Sequence, residues 1–356
     1  MKLLEQLTTT PGVPGREHRV RELILRETQG LFDQTHIDAL GTLIGTRHSR
    51  PRPRKAGRGR SHGQGRSGRP TRVMVAAHMD QIGFIVRHID DKGFLRIAAL
   101  GGFDVRNLFS RLVTVCTDAG DLPGVLTAGG KPTHIATEED RRKIPEVIEM
   151  AIDLGLPADE VKAKVKIGDM VVINAPFTPI GRTVVAQALD NRVACWIAIR
   201  ALQKLEHHNC EIHVAFTVQE EVGMRGAGPA AERIQPDIAL VLDTTLCCDT
   251  PGVPDDLRIT QQGAGVGINV LDSTAINDID LLRRIEQVAR EHHIKHQRTM
   301  LHRGGTDAGA IHARLAGTRT ATLLCPTRYI HTVTEMVHRD DLDATRDLVA
   351  AYLTQL

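Results

Sequence analysis

The 356-residue sequence is poor in aromatic residues: one Trp, two Tyr and seven Phe. Few rings are available for stacking bases, which argues against a dedicated single-stranded nucleic-acid platform. It also lacks long apolar runs. None approaches the roughly 18–20 residues of a membrane span. The opening MKLLEQLTTTPGVPGREH contains no apolar stretch of signal-peptide length. The expectation is a cytoplasmic protein with no membrane partner. Six cysteines are present, none in a C-x-x-C pair, so reduced structural thiols are expected rather than disulfides or a thiolate metal site. With 41% hydrophobic and 25% charged residues, the composition excludes fibrous, collagen-like and wholly disordered chains. The length suits about two domains.

The last absence is local. Residues 47–72 contain no Asp or Glu but ten of the chain's 45 basic residues. The rest of the chain is therefore mildly acidic, although the total net charge is +2. The Arg/Gly/Pro/Ser-rich composition of this segment predicts an exposed basic loop. Its charge leaves open a non-enzymatic reading, nucleic-acid binding through the loop.

Residues 1–30 carry helical spacing, broken at Thr-Pro-Gly-Val-Pro-Gly, and 40–46 suit a strand. Four short apolar runs each lead to a metal-competent side chain. Val73–Ala77 ends at His78, and Ile212–Val218 leads to Glu220-Glu221. Ile238–Leu242 ends at Asp243, and Ala321–Cys325 leads into the loop carrying His331. Runs of this length suit strands buried on both faces of a mostly parallel sheet. Amphipathic patterns over 191–205, 279–292 and 342–353 supply flanking helices, giving an α/β class. Ligands of such sheets gather at the carboxyl ends of the strands. Residues 84–174 break the rhythm with short alternating strands and one helical stretch at 144–154. They are expected to form an inserted β-rich domain, with 1–83 and 175–356 as the main domain.

Each site motif also has a bland alternative. His78-Met-Asp80 places two polar groups on one strand face, where Asp80 could orient His78 toward a metal, or His78 could be an ordinary core histidine. Asp190, just before a helix, could be an N-cap. Glu220-Glu221 could be a solvated strand end, or a metal ligand beside a general base. Asp243 could form an Asx turn, and His331 could be a plain loop residue. Together they supply five nitrogen or oxygen ligands and one spare carboxylate, without thiolates. Such a set suits two ions of Zn²⁺, Co²⁺ or Mn²⁺ sharing a carboxylate. Gly263-Ala-Gly-Val-Gly267 lacks nucleotide-loop spacing and reads as a turn.

The stretches AAHMDQIGFIV, ALDNRVACW, VQEEVGMRGA, LVLDTT, GGTDAGAIH and RYIHTVTEM, in this order, resemble the glutamyl/deblocking aminopeptidase family, and its FrvX-type subgroup in particular. The resemblance implies cytosolic dinuclear metallo-aminopeptidases that assemble from dimers into tetrahedral dodecamers. It implies that His78 and Asp243 bind one ion, that Glu221 and His331 bind the other, and that Asp190 bridges them. Glu220 would act as general base on a metal-bridging water, Asp80 would orient His78, and Gly305, Thr306 and Asp307 would line the peptide-binding pocket. The inserted β-rich domain would mediate dimerisation. Where the family usually has Glu, this chain has Gln81. An N-acyl deacylase or deblocking activity on the same centre is the alternative chemistry.

Overall fold

The computed structural model describes residues 1–53 and 69–356. The main body is built on strands β1 (Gln34–Ile37), β2 (Leu43–Arg47) and β3 (Arg72–His78). An inserted unit then contributes β4 (Gly83–Ile89), β5 (Leu95–Leu100), β6 (Arg111–Thr117), β7 (Gly120–Thr127), β8 (Ala151–Asp153) and β9 (Met170–Ile173). The chain returns to the main sheet with β10 (Thr178–Ile180), β11 (Thr183–Ala186), β12 (Glu211–Thr217) and β13 (Ile238–Leu246). It finishes with β14 (Val266–Leu271), β15 (His296–Met300), β16 (Arg319–Arg328) and β17 (Glu335–His338). Among the described residues, eleven of these strands form one sheet.

The centre of that sheet, β12-β3-β13-β16, is parallel. Its strands are buried almost end to end, because helices cover both faces. The period of two is visible within β3. Val73, Val75 and Ala77 pack into the larger core with the helices Leu189–Lys204 and Arg339–Gln355. Met74 and Ala76 pack on the other face, with the helices Ala227–Ile234 and Ala308–His312. The six strands β4 to β9 close into a barrel. Its separate core includes Phe84, Val86, Ile97, Val113 and Val171. Phe84 stacks on Phe103 with ring centroids 4.6 Å apart.

Two local expectations are corrected. The stretch 144–154 is not a helix. It forms a 3₁₀ turn at Val147–Glu149 and then β8. Closing the barrel requires a strand between β5 and β7, and that tertiary demand overrides local helical spacing. The predicted loop 47–72 also gives up its ends. Arg47 closes β2 and is buried, donating to the carbonyls of Leu202 (2.7 Å) and Leu205 (2.6 Å). Arg50 pairs with Asp33, Arg69 pairs with Asp237, and Arg72 opens β3. These four arginines serve the fold. Residues 54–68, the middle of the predicted basic loop, lie outside the described residues.

The N-terminal helices Lys2–Thr9 and His18–Glu27 flank the predicted break. A fully buried Arg192 anchors the segment between them. Its guanidinium donates to the carbonyls of Leu7, Thr10 (2.9 Å) and Gly12 (3.3 Å), and to Gln81 Oε1 (3.2 Å). Burial pushes Arg192 down to about 10. Gln81 thus faces an arginine. All six cysteines are free. Among the described residues, no helix is long and apolar enough to cross a membrane.

Asp278 caps the helix Ile279–Glu291 through Leu281 N–H (2.8 Å) and takes both ends of the Arg319 fork (2.9 and 2.8 Å). The Arg319 contact first, and the backbone bond after it, hold Asp278 down at about 2 against the usual 3.8. A lowered folded-state value means the stabilisation is complete above the unfolded value and disappears as pH falls through about 2. Asp278→Ala is expected to cost about 1 kcal/mol at neutral pH, mostly through the lost cap. The partly exposed pair adds only a few tenths. Denaturant midpoints should differ by a constant amount from pH 7 to about 5 and draw together as pH falls from about 4 to about 2.

Candidate metal centre

The carboxyl ends of the parallel strands deliver the predicted residues to one cavity. His78 is the last residue of β3, in register with Thr217 at the end of β12. Past Thr217 the chain turns through Gln219, at φ 57°, and presents Glu220 and Glu221. Asp243 lies within β13, and its Oδ1 accepts from Thr244 N–H at 2.8 Å. Asp190 sits at a non-helical start of the helix Leu189–Lys204 and makes no cap. The neighbouring Ala188 has φ 55°, and the Asp190–Asn191 peptide is cis. His331 follows β16 with φ 62°. Left-handed backbone at non-glycine residues is costly, and it concentrates at sites the surrounding structure over-determines.

The distances define two groups that share one residue. His78 Nε2 lies 3.2 Å from Asp190 Oδ1 and 3.8 Å from Asp243 Oδ1. His331 Nε2 lies 3.1 Å from Glu221 Oε2 and 3.6 Å from Asp190 Oδ2. Each trio offers three ligand atoms within 4.8 Å of one another. Glu220 belongs to neither trio, yet its Oε2 is 3.9 Å from His78 Nε2 and its side chain is nearly buried. It is no solvated strand end. All six residues line an open cavity of about 450 Å³ with Met224, Leu246, Leu301, Arg303 and Gly305 on its walls.

This arrangement calls for cations. Burial first, then the neighbouring carboxylates, holds Asp243 and Glu220 well above the usual carboxylate range. Among the described residues, Asp190 Oδ1 and Glu221 Oε1 are buried without a hydrogen-bond partner. Unpartnered buried carboxylate oxygens are expensive, and a divalent ion would satisfy both. The donors are imidazole and carboxylate only, which suits borderline and hard divalent metals. The centre therefore fits divalent metal binding.

Asp80 is fully buried, but its carboxylate does more than face His78. Its Oδ1 is 3.4 Å from His78 Nδ1, while its two oxygens accept the N–H groups of Glu220 and Glu221, each at 3.1 Å. In the GGTD loop, Gly305 reaches the cavity. Thr306 and Asp307 are buried behind it, with Thr306 donating to Asp272 and Thr217 donating to Asp307 at 2.5 Å. Burial pushes Asp307 up to about 6.

Sequence reasoning missed two buried carboxylates. Glu17 accepts from Gly15 and Gln219 N–H, so it braces the turn before Glu220. Burial, together with Asp80, raises it to about 7. Glu335 accepts from Asp190 N–H and His331 N–H. Glu17 lies in the opening MKLLEQLTTTPGVPGREH and Glu335 in RYIHTVTEM, but neither has metal-ligand spacing to single it out.

Residues 59–348 match the profile of the M42 glutamyl aminopeptidase family. The FrvX protein of Escherichia coli (strain K12) is 31% identical over 100% of this chain and 95% of its own length. An aminopeptidase from the archaeon Desulfurococcus kamchatkensis superposes with a TM-score of 0.90 at 32% identity, covering 100% of this chain and 94% of its own. The TET1 peptidase of Pyrococcus horikoshii gives a TM-score of 0.86 at 32% identity, covering 100% and 99%. It is described as assembling into a tetrahedron or a large octahedral shell.

Proposed function

The chain belongs to the M42 glutamyl aminopeptidase family of peptide-bond hydrolases, and from that premise we propose that it removes the first residue of peptides at a centre holding two divalent ions. The observation that carries this reading is the sharing of Asp190 between two ligand trios, with Glu220 lining the same cavity and inside neither. His78, Asp190 and Asp243 would hold one ion, and Asp190, Glu221 and His331 the other. When bound, such ions polarise a carbonyl and make water acidic enough to attack near neutral pH.

The chain's own groups do the rest. Glu220 takes the proton of the attacking water at its carboxylate and returns it to the departing amine, as a general base that becomes a general acid. Asp80 keeps Glu220 in place by accepting its backbone N–H, and keeps His78 aimed outward. Thr217 and Asp307 form a buried wall behind the centre, and the GGTD loop closes one side of the cavity at Gly305. Exposed apolar residues on the barrel, Leu112 and Ile167 among them, suit pairing between copies of this unit. The assembly of the TET1 relative supports a homo-oligomer.

The test is hydrolysis of aminoacyl-p-nitroanilides, each beside its N-acetylated form, by protein loaded with Zn²⁺, Co²⁺ or Mn²⁺. Cleavage confined to free-amine substrates is expected. Cleavage of the blocked forms at comparable rates would instead assign a deacylase or deblocking activity to the same centre.

A further inference from the structure

We propose that Glu335 is a positioning residue, a two-oxygen clamp that sets the separation between Asp190 and His331. The inference rests on the dinuclear reading above. Glu335 opens β17 and pairs in register with Ala186 at the end of β11. This places it beneath the chain on both sides of the centre. Its side chain is buried, with the residue 1% exposed. Oε2 accepts the N–H of Asp190 and Oε1 the N–H of His331, each at 2.9 Å. It offers no atom to either ligand trio.

Three facts make this more than a satisfied core carboxylate. First, the two N–H groups come from separate elements, 141 residues apart in number, and among the described residues Glu335 alone accepts from both. Second, both stretches carry left-handed non-glycine backbone, Ala188 at φ 55° and His331 at φ 62°. Such conformations persist only where outside contacts hold them. Third, the carboxylate sits beside a centre already rich in acids. Burying another negative group there is unfavourable unless both oxygens are engaged. Held this way, Asp190 Oδ2 and His331 Nε2 stand 3.6 Å apart on the side of the second trio.

The chemistry gives a sharp variant. Glu335→Gln has nearly the same shape but only one acceptor oxygen, so its amide NH₂ must face one of the two N–H groups. Metal-free Glu335→Gln and unaltered protein are titrated with Co²⁺, following visible absorption and heat. The expected result is about ten- to hundredfold weaker binding of one ion in the variant. At saturating metal, kcat should fall while KM changes little. A purely structural role would lower the melting temperature of the metal-free variant and leave Co²⁺ affinity and kcat at the unaltered values. That result would overturn the proposal.

Should Glu335→Gln not fold, Glu335→Asp keeps two acceptors on a shorter stem. It must still bind one Co²⁺ more weakly than the unaltered protein, and equal affinity would equally sink the idea. Unaltered protein that binds fewer than two Co²⁺ ions would refute the dinuclear reading. Two ions in the unaltered protein, with the same affinities in the variants, would refute the role of Glu335 alone.

Discussion

Glu220→Gln is expected to retain metal and lose catalysis, with kcat falling by about 10²–10⁴-fold. The substitution preserves shape and removes the basic oxygen pair. Glu220 supplies no atom to either trio, so ion content, read by atomic emission after gel filtration, should match that of the unaltered protein. Its backbone N–H still donates to Asp80, so the turn that carries Glu221 should stay in place. KM should change little, because the lost interaction belongs to proton transfer rather than to binding the ground state. A variant with full metal and full kcat would mean that another group takes the proton, and the proposed mechanism would fall.

Asp190→Ala is expected to have the second large effect, and a different one. Asp190 is the one residue present in both trios among the described residues. Its two oxygens face different imidazoles, Oδ1 toward His78 at 3.2 Å and Oδ2 toward His331 at 3.6 Å. Removing it should weaken both ions at once and leave activity at background. His331→Ala and Asp243→Ala each touch a single trio and should lower the bound ions from two to one. Calorimetric titration of the three metal-free variants separates the cases. An Asp190→Ala protein that still takes two ions with unaltered affinity would show that the trios bind independently, and the shared-carboxylate reading would fail.

The two predictions draw on different layers of information. The strands that deliver His78, Glu220-Glu221, Asp243 and His331 are legible in the chain because burial on both faces demands runs such as Val73–Ala77 and Ile238–Leu242. The helix Ile279–Glu291 is legible from its spacing. β1, with the sequence QTHI, is exposed throughout. It has no apolar face to betray it, and only pairing with β2 makes it a strand. β8 failed for the opposite reason. Local spacing favoured a helix, and closure of the barrel decided otherwise.

Residue types and the order of motifs were enough to nominate the centre, since metal and proton chemistry draw on few side chains and strand ends are where α/β sheets place them. Residue types and spacing alone do not say which carboxylate stands between the two groups, or that Glu220 stands apart from both; only the family resemblance singled out Asp190 and Glu220. Those are distances between residues tens to more than a hundred positions apart. Glu17 and Glu335, and the second task of Asp80, were hidden for the same reason. Glu17, Asp80 and Glu335 act by accepting backbone N–H groups at Gln219, Glu220, Glu221, Asp190 and His331. A peptide N–H carries no sequence signature, so only the folded chain shows which one each carboxylate meets.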